Sequence, residues 1–405
     1  MASKPYLTSN DLIETVKLNM AFPVAQNTFS TDDILKFANH ELFMSQVPSV
    51  LQYHEDYFSF REHVPMKPNK NRYDIPYRAI GNKIYDVYFR DEGNNTFREM
   101  SLVDAADKVF FHDGSATGTS LFRHYYIESN QIVLTTNVGA DVSGELVFVY
   151  FLRPNNLVAD ERAATCTNFT KDITIENASI VAGDQLVIGS LTLTADVDFA
   201  IGMTSIATAT NLNNRINQTE DYSSIITGNI VTVRYEFLST SFSSTNTAGI
   251  VIETLQGIQF DAVPENIMNG SLIDFIKKKG GHRTYKFDVR LGKQAVSPTV
   301  VKFKSGDIPT DFEVEDYICS QFECIIPQIP SDLHSLLAER TVARILESLG
   351  DQLGLQAAND KISKMEAGQA SMIDNRVEGS PRKVLNRNSF LRLNKGGWGG
   401  RGGFS

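Results

Sequence analysis

The chain is poor in the residues that most enzyme chemistry relies on. Among 405 residues there are three cysteines, seven histidines and one tryptophan. Cys166, Cys319 and Cys324 are too few for a disulfide framework in a chain of this length, and the Cys319–Cys324 pair has no second pair at metal-binding spacing, so all three read as reduced thiols. The histidines (His40, His54, His63, His112, His124, His282 and His334) are scattered, none at metal spacing from another His or Cys. His40-Glu41 opens like a zinc-protease helix, but Met44 stands where the second ligand on that face is needed. Gly114-Ser115-Ala116-Thr117-Gly118-Thr119-Ser120 lacks the lysine of a phosphate-binding loop, and no Gly-x-Ser-x-Gly elbow occurs. The expectation is a non-enzymatic protein without cofactor or metal.

Long apolar runs are missing too. No eighteen-residue stretch suits a membrane span, and Met1-Ala2-Ser3-Lys4-Pro5 does not open an apolar signal region, so membrane insertion and Sec export are not expected. Synthesis in a cytosol is.

What is present suffices for a large core: 42% of residues are hydrophobic and 21% charged, enough for two or three domains. Charge is unevenly spread. The last 27 residues hold Arg382, Lys383, Arg387, Arg392, Lys395 and Arg401 with no Asp or Glu, so a net −10 leaves about −16 on the rest. An acidic body disfavours general phosphate binding and suits a surface past which DNA slides. The tail, ending Gly396-Gly397-Trp398-Gly399-Gly400-Arg401-Gly402-Gly403-Phe404, has too little apolar surface to form its own core and is read as an extended arm that docks on a partner. Arg382, Arg387, Phe390, Arg392, Trp398, Arg401 and Phe404 are its candidate anchors.

Periodicity predicts an α+β fold: an antiparallel β-domain with helices at both ends, an inserted small β-rich domain and a C-terminal arm. Residues 1–72 read as helical, with Thr8 or Ser9 capping a helix over 10–20, Ser30 and Asp33 starting one through about Met44, and a third over 50–59. Residues 73–165 and 257–330 read as one discontinuous β-domain, with hairpins at 91–95 and at Ser129-Asn130. Residues 166–256 hold only 12 charged residues in 91 and are read as the insertion, carrying a helix over 205–218. Residues 331–376 read as a helical hairpin, followed by the arm at 377–405. In its second helix Leu355, Ala358, Ile362, Met365 and Met372 keep an a/d seam. That seam suits packing on the preceding helix within the chain, or contact between subunits through Leu355, Ile362, Met365 and Met372.

Several blocks carry a resemblance. Phe29 to Leu35, Val47-Pro48, Glu55 to Phe58 and Ile75-Pro76-Tyr77-Arg78-Ala79-Ile80-Gly81-Asn82-Lys83-Ile84-Tyr85-Asp86-Val87, with the later Pro309 to Ile318, Leu337 to Asp351 and Ile373 to Ser380, resemble tailed-bacteriophage virion proteins of the head-tail connector region. The resemblance covers about residues 10–165 and 257–385. Leu191 to Gly202 followed by Ala207 to Asn217 is similar to a β-rich module recurrent in phage structural proteins. What the resemblance implies is a portal adaptor at the head-tail junction of the virion: a homo-oligomeric ring of about twelve copies by analogy with portals, contacting portal and tail or neck proteins around passing genomic DNA.

Two other readings stay open. A nucleic-acid-binding accessory protein would use the arm and the basic run Lys277-Lys278-Lys279-Gly280-Gly281-His282-Arg283. A surface-exposed virion protein would bind glycan or receptor through residues 166–256.

Overall fold

The computed structural model describes residues 6–20, 29–91, 96–104, 106, 124–136, 138, 144–279, 281–293, 295–304 and 306–373. It is an α+β chain in which antiparallel sheets adjoin one helical layer.

That layer is built from both ends of the chain. Helix α1 (Ser9–Met20) starts where the Thr8 and Asp11 side chains each accept the other's backbone N–H, at 3.2 and 3.1 Å. Helix α2 (Thr31–Glu41) starts at the expected Ser30–Asp33 capping box, whose hydrogen bonds hold the Asp33 carboxyl down at about 2. A π-turn, Leu42–Gln46, carries α2 into α3 (Val47–Tyr53), which stops earlier than periodicity predicts because the chain becomes a strand at Ser59. Helix α4 (Ser205–Ile216) belongs to the inserted unit. Helices α5 (His334–Leu349) and α6 (Gln352–Ile373) form the predicted hairpin, turned by Gly350 at φ 74°, a left-handed position that glycine adopts without a Cβ clash. Helices α1 and α2 both pack on α5. Leu12, Val16, Ile34, Ala38, Leu337 and Ile345 share its core, with Ala358 and Ile362 of α6 closing it.

The strands separate into units that the predicted boundaries only partly follow. Ser59–Pro65, Gly144–Phe151, Asp86–Asp91 and Arg98–Glu99 make one sheet; Arg72–Asp74, Gln131–Leu134, His124–Glu128 and Ser101–Leu102 make another. Both bury one core that includes Phe89, Ile132, Leu146 and Phe148. At the predicted hairpin, Ser129 and Asn130 sit at φ 49° and 61°, the twist that a two-residue turn needs.

Gln185–Ile188, Leu191–Thr194 and Phe242–Ser244 form a separate three-stranded sheet, while most of the remaining strands gather on a single 13-residue strand, Ala163–Ile175. Its start pairs with Tyr317–Ser320, its middle with Gln256–Phe260 and Ile230–Tyr235, and its end with Ile250–Ile252. The expected boundary at residue 166 therefore falls inside one strand. Two cores lie along it: one with Phe169, Phe260, Phe275 and Phe312, the other with Ile173, Leu186, Leu212 and Val231 beneath α4. The strands of 59–152 pair with none of those at 256–320; the link is a short parallel ladder, Asn156–Leu157 on Glu323–Cys324.

The first described residues lie across a buried histidine pair. The Leu7 N–H donates to His334 Nδ1 at 3.0 Å, the Ser9 N–H donates to the Ile325 carbonyl at 2.7 Å, and the Tyr6 ring meets His282 edge-on at 4.5 Å. His334 Nε2 lies 3.1 Å from the Pro327 carbonyl, so the neutral tautomer with its proton on Nε2 fits both contacts. Burial, with smaller contributions from His334 and Lys278, pushes His282 down from 6.5 to about 4. Below pH 6.5 the unfolded chain then binds a proton that the folded chain refuses. Stability should fall as pH drops from 6.5 to about 4 and level below that, by about 3 kcal/mol from this group. His282→Asn, which tolerates the φ of 55° there, should flatten that part of the pH curve in urea melts. In the helical layer, Leu337→Ala at a fully buried site should cost about 2–5 kcal/mol in the same measurement.

Candidate functional site

The tightest polar constellation surrounds Arg78, which is 1% exposed. Its guanidinium donates twice to Asp274, at 2.9 and 3.0 Å, once to Asp288 at 2.8 Å and once to Asn155 at 3.1 Å. The Phe322 and Phe287 rings lie 4.2 and 4.7 Å from it. Asn155 also donates to Asp274 at 2.8 Å, and Tyr77 donates to Asp288.

Backbone geometry completes the cage. Asp288 and Phe322 both occupy the left-handed region, at φ 58° and 65°, and each gives its backbone N–H to Asp274 at 3.1 Å. The unfavourable conformations are thereby explained, since they turn two amides onto one buried carboxylate. Burial works to raise the Asp274 carboxyl against the pull of Arg78, but five donors and no acceptor require the ionised form. For Arg78, burial works to lower the pKa, and Asp274 with the surrounding hydrogen bonds more than offsets it, so the guanidinium stays charged. The cluster holds four chain segments together; its carboxylates are already occupied by partners within the chain.

The basic run is neutralised within the chain. Lys277 meets Asp311 at 2.9 Å, Lys278 meets Glu315 at 2.8 Å, and Lys279 pairs with Glu313. Arg283 lies 4.2 Å over the Tyr57 ring. Exposed pairs of this kind add little stability, yet they cancel the positive field that a phosphate backbone would need. Glu41 of the protease-like dipeptide is likewise structural: it accepts from Ser45 and faces Arg340 and Arg344 at 3.8 and 3.9 Å, beside a cavity of about 390 Å³ over Ala343, Leu355 and Ile362. A second cavity, about 440 Å³, opens beside the Arg78 cluster between Phe43, Val47, Ile80, Pro154 and Phe322.

The α6 seam is largely used inside the chain. Ala358 and Ile362 are buried in the helical core, while Leu355 and Met365 are half-buried at its edge. Met372 lies in α6, but its side chain is outside the described residues, as are residues 114–120 and the arm anchors Arg382, Arg387, Phe390, Arg392, Trp398, Arg401 and Phe404. The three cysteines are all buried and free; burial pushes Cys166 up to about 12 and Cys324 to about 11. Among the described residues, no group of three His, Cys, Asp or Glu is placed to hold a metal, and no helix is long and apolar enough to cross a membrane.

Sequence reasoning missed the Arg78 cluster. The hydrogen-bond partners of Arg78 lie 77 to 210 residues away, beyond any local pattern.

No protein-family model matches the chain, and no curated protein matches it. Among solved structures, it is similar to a chain from Mycobacterium phage Patience at 10% identity and a TM-score of 0.19, over 65% of this chain and 90% of that one. It is also similar to the D1-D2-D3 domains of the flagellar cap protein FliD from Escherichia coli, at 10% identity and a TM-score of 0.16, over 92% of this chain and 80% of that one. Scores this low leave fold and function to be read from the chain's own residues.

Removing one partner of the Arg78 cluster strands a buried charge. Arg78→Ala and Asp274→Ala should each cost about 3–5 kcal/mol in urea unfolding. The double substitution Arg78→Met with Asp274→Leu should cost clearly less than the two single losses together.

Proposed function

We propose that the chain is a structural subunit of a tailed-phage virion, one copy of an adaptor ring between portal and tail around the DNA channel. The observation that carries this reading is the meeting of the first and last described helices in one layer. Helices α1 to α3 pack with α5 and α6, and the sequence of the basic, aromatic arm, residues 377–405, comes after α6. A rigid body with an adhesive extension is the form of an assembly subunit, and the blocks that resemble connector proteins include Leu337 to Asp351 of that layer. The acidic body suits passage of DNA without adhesion.

The neutralised Lys277–Lys279 run weighs against a nucleic-acid accessory role, which would rest on the arm alone. That rival requires affinity for nucleic acid that falls steeply with salt, with a log–log slope of about 4 to 6.

The purified full-length chain should be lighter alone than with the portal protein of the same virus, with which it forms a closed ring. Deleting residues 386–405 should leave the unfolding midpoint unchanged and abolish stable attachment to the virion. Attachment of the truncated chain at the normal level, scored on purified particles, sinks the assignment.

A further inference from the structure

One end of the inserted unit carries an aliphatic face that no described residue covers. Val181, Val197, Met203 and Ile206 are 61%, 79%, 101% and 57% exposed. Hydrogen bonds bring their segments together. The Gly183 N–H donates to the Ala195 carbonyl at 3.1 Å, Asn177 Nδ2 to the Gly202 carbonyl at 2.9 Å, and Asn246 Nδ2 to Asp184 at 2.7 Å. Residues 176–184, 195–206 and 244–249 therefore form one end of the module. They contain Glu176, Asp184, Asp196 and Asp198 and no Lys or Arg. Arg215, from α4, is the cation near them, 3.7 Å from Asp198.

We infer that this end receives the C-terminal arm of a second copy of the chain. The two are complementary in both respects that matter. Residues 379–405 of the arm offer six Lys and Arg without an Asp or Glu, together with Phe390, Trp398 and Phe404; the module end offers four carboxylates, of which Asp198 is paired with Arg215, and four exposed aliphatic side chains. Glycan recognition fits less well, because this face lacks aromatic platforms. The 32 residues after Ile373 span up to about 100 Å when extended, enough to reach a neighbour. Arm on one copy and module on the next is a head-to-tail contact, which closes into a ring when the rotation between copies allows it. This deepens the adaptor reading and rests on it for the ring, whereas the pairing itself is testable on the purified chain.

Sedimentation of the full-length chain over a concentration series, at about 50 and about 500 mM salt, reads the contact. Self-association is expected, weakened at least tenfold at the higher salt as exposed charges are screened. Met203→Lys with Ile206→Lys removes the face, and Trp398→Ala with Arg401→Ala removes the arm's anchors. Each double variant should be monomeric with an unchanged circular dichroism spectrum. Mixed one to one, they should form a two-chain complex, since one intact arm then meets one intact face. If the first pair of substitutions disturbs folding, Val181→Lys with Val197→Lys tests the same surface. A monomeric wild type, undiminished association of the face variant, a mixture that stays monomeric, or crosslinks joining the arm to its own module would each overturn the inference. Portal capture in parallel separates the two ideas: association kept with portal binding absent removes the connector reading alone, and the reverse removes this one alone.

Discussion

A guanidinium taken entirely out of water must be answered by charge and hydrogen bonds on every side, and the cage around Arg78 meets that demand by drawing on distant parts of the chain. Asp274 and Asp288 come from the strand pair Leu272–Ile276 and Thr284–Arg290, which reaches the long central strand through Tyr317–Ser320; Asn155 comes from the connection out of the first β unit, and Phe322 from the turn before the last short ladder. Each segment is fixed relative to the others because any displacement leaves a buried charge uncompensated. Continuing from Asn155, Gln328 accepts the Asn155 N–H at 2.7 Å and donates to the His282 carbonyl at 2.9 Å. One polar chain thus runs from the Arg78 cage to the histidine pair beneath the first described residues. Asp288 and Phe322 accept unfavourable backbone angles in its service, a cost that the two amide bonds to Asp274 offset.

This continuity shapes the functional reading. The β units bury separate cores, yet the cage and the short parallel ladder tie the first unit to the later strands, and the helical layer gathers the first and last described helices. The inserted unit differs: it has its own core, shares only the far half of the central strand, and turns aliphatic side chains to solvent.

Elements governed by neighbours in sequence were legible in advance. The Ser30–Asp33 capping box, the Ser129-Asn130 turn and the a/d seam of α6 are each set by residues within a turn or two of their neighbours. Those governed by partners far along the chain were not. Nothing local marks residue 166 as the middle of a strand, because the pairing that extends Ala163–Ile175 past it is supplied from 230–235 and 256–260. Nor does composition show that Lys277 to Lys279 are spoken for, since their carboxylates arrive from 311–315. The candidate site shows the same division: the arm is visible in composition, the Arg78 cage only in three dimensions.

The buried thiols have a consequence of another kind. Cys166, Cys319 and Cys324 are shielded from solvent and strongly disfavoured as thiolates, the form that attacks disulfides and reacts with oxidants. A chain made in a reducing compartment and later carried into air-saturated surroundings would keep these three thiols reduced for as long as it stays folded. Loss of those thiols is then limited by unfolding rather than by their direct oxidation.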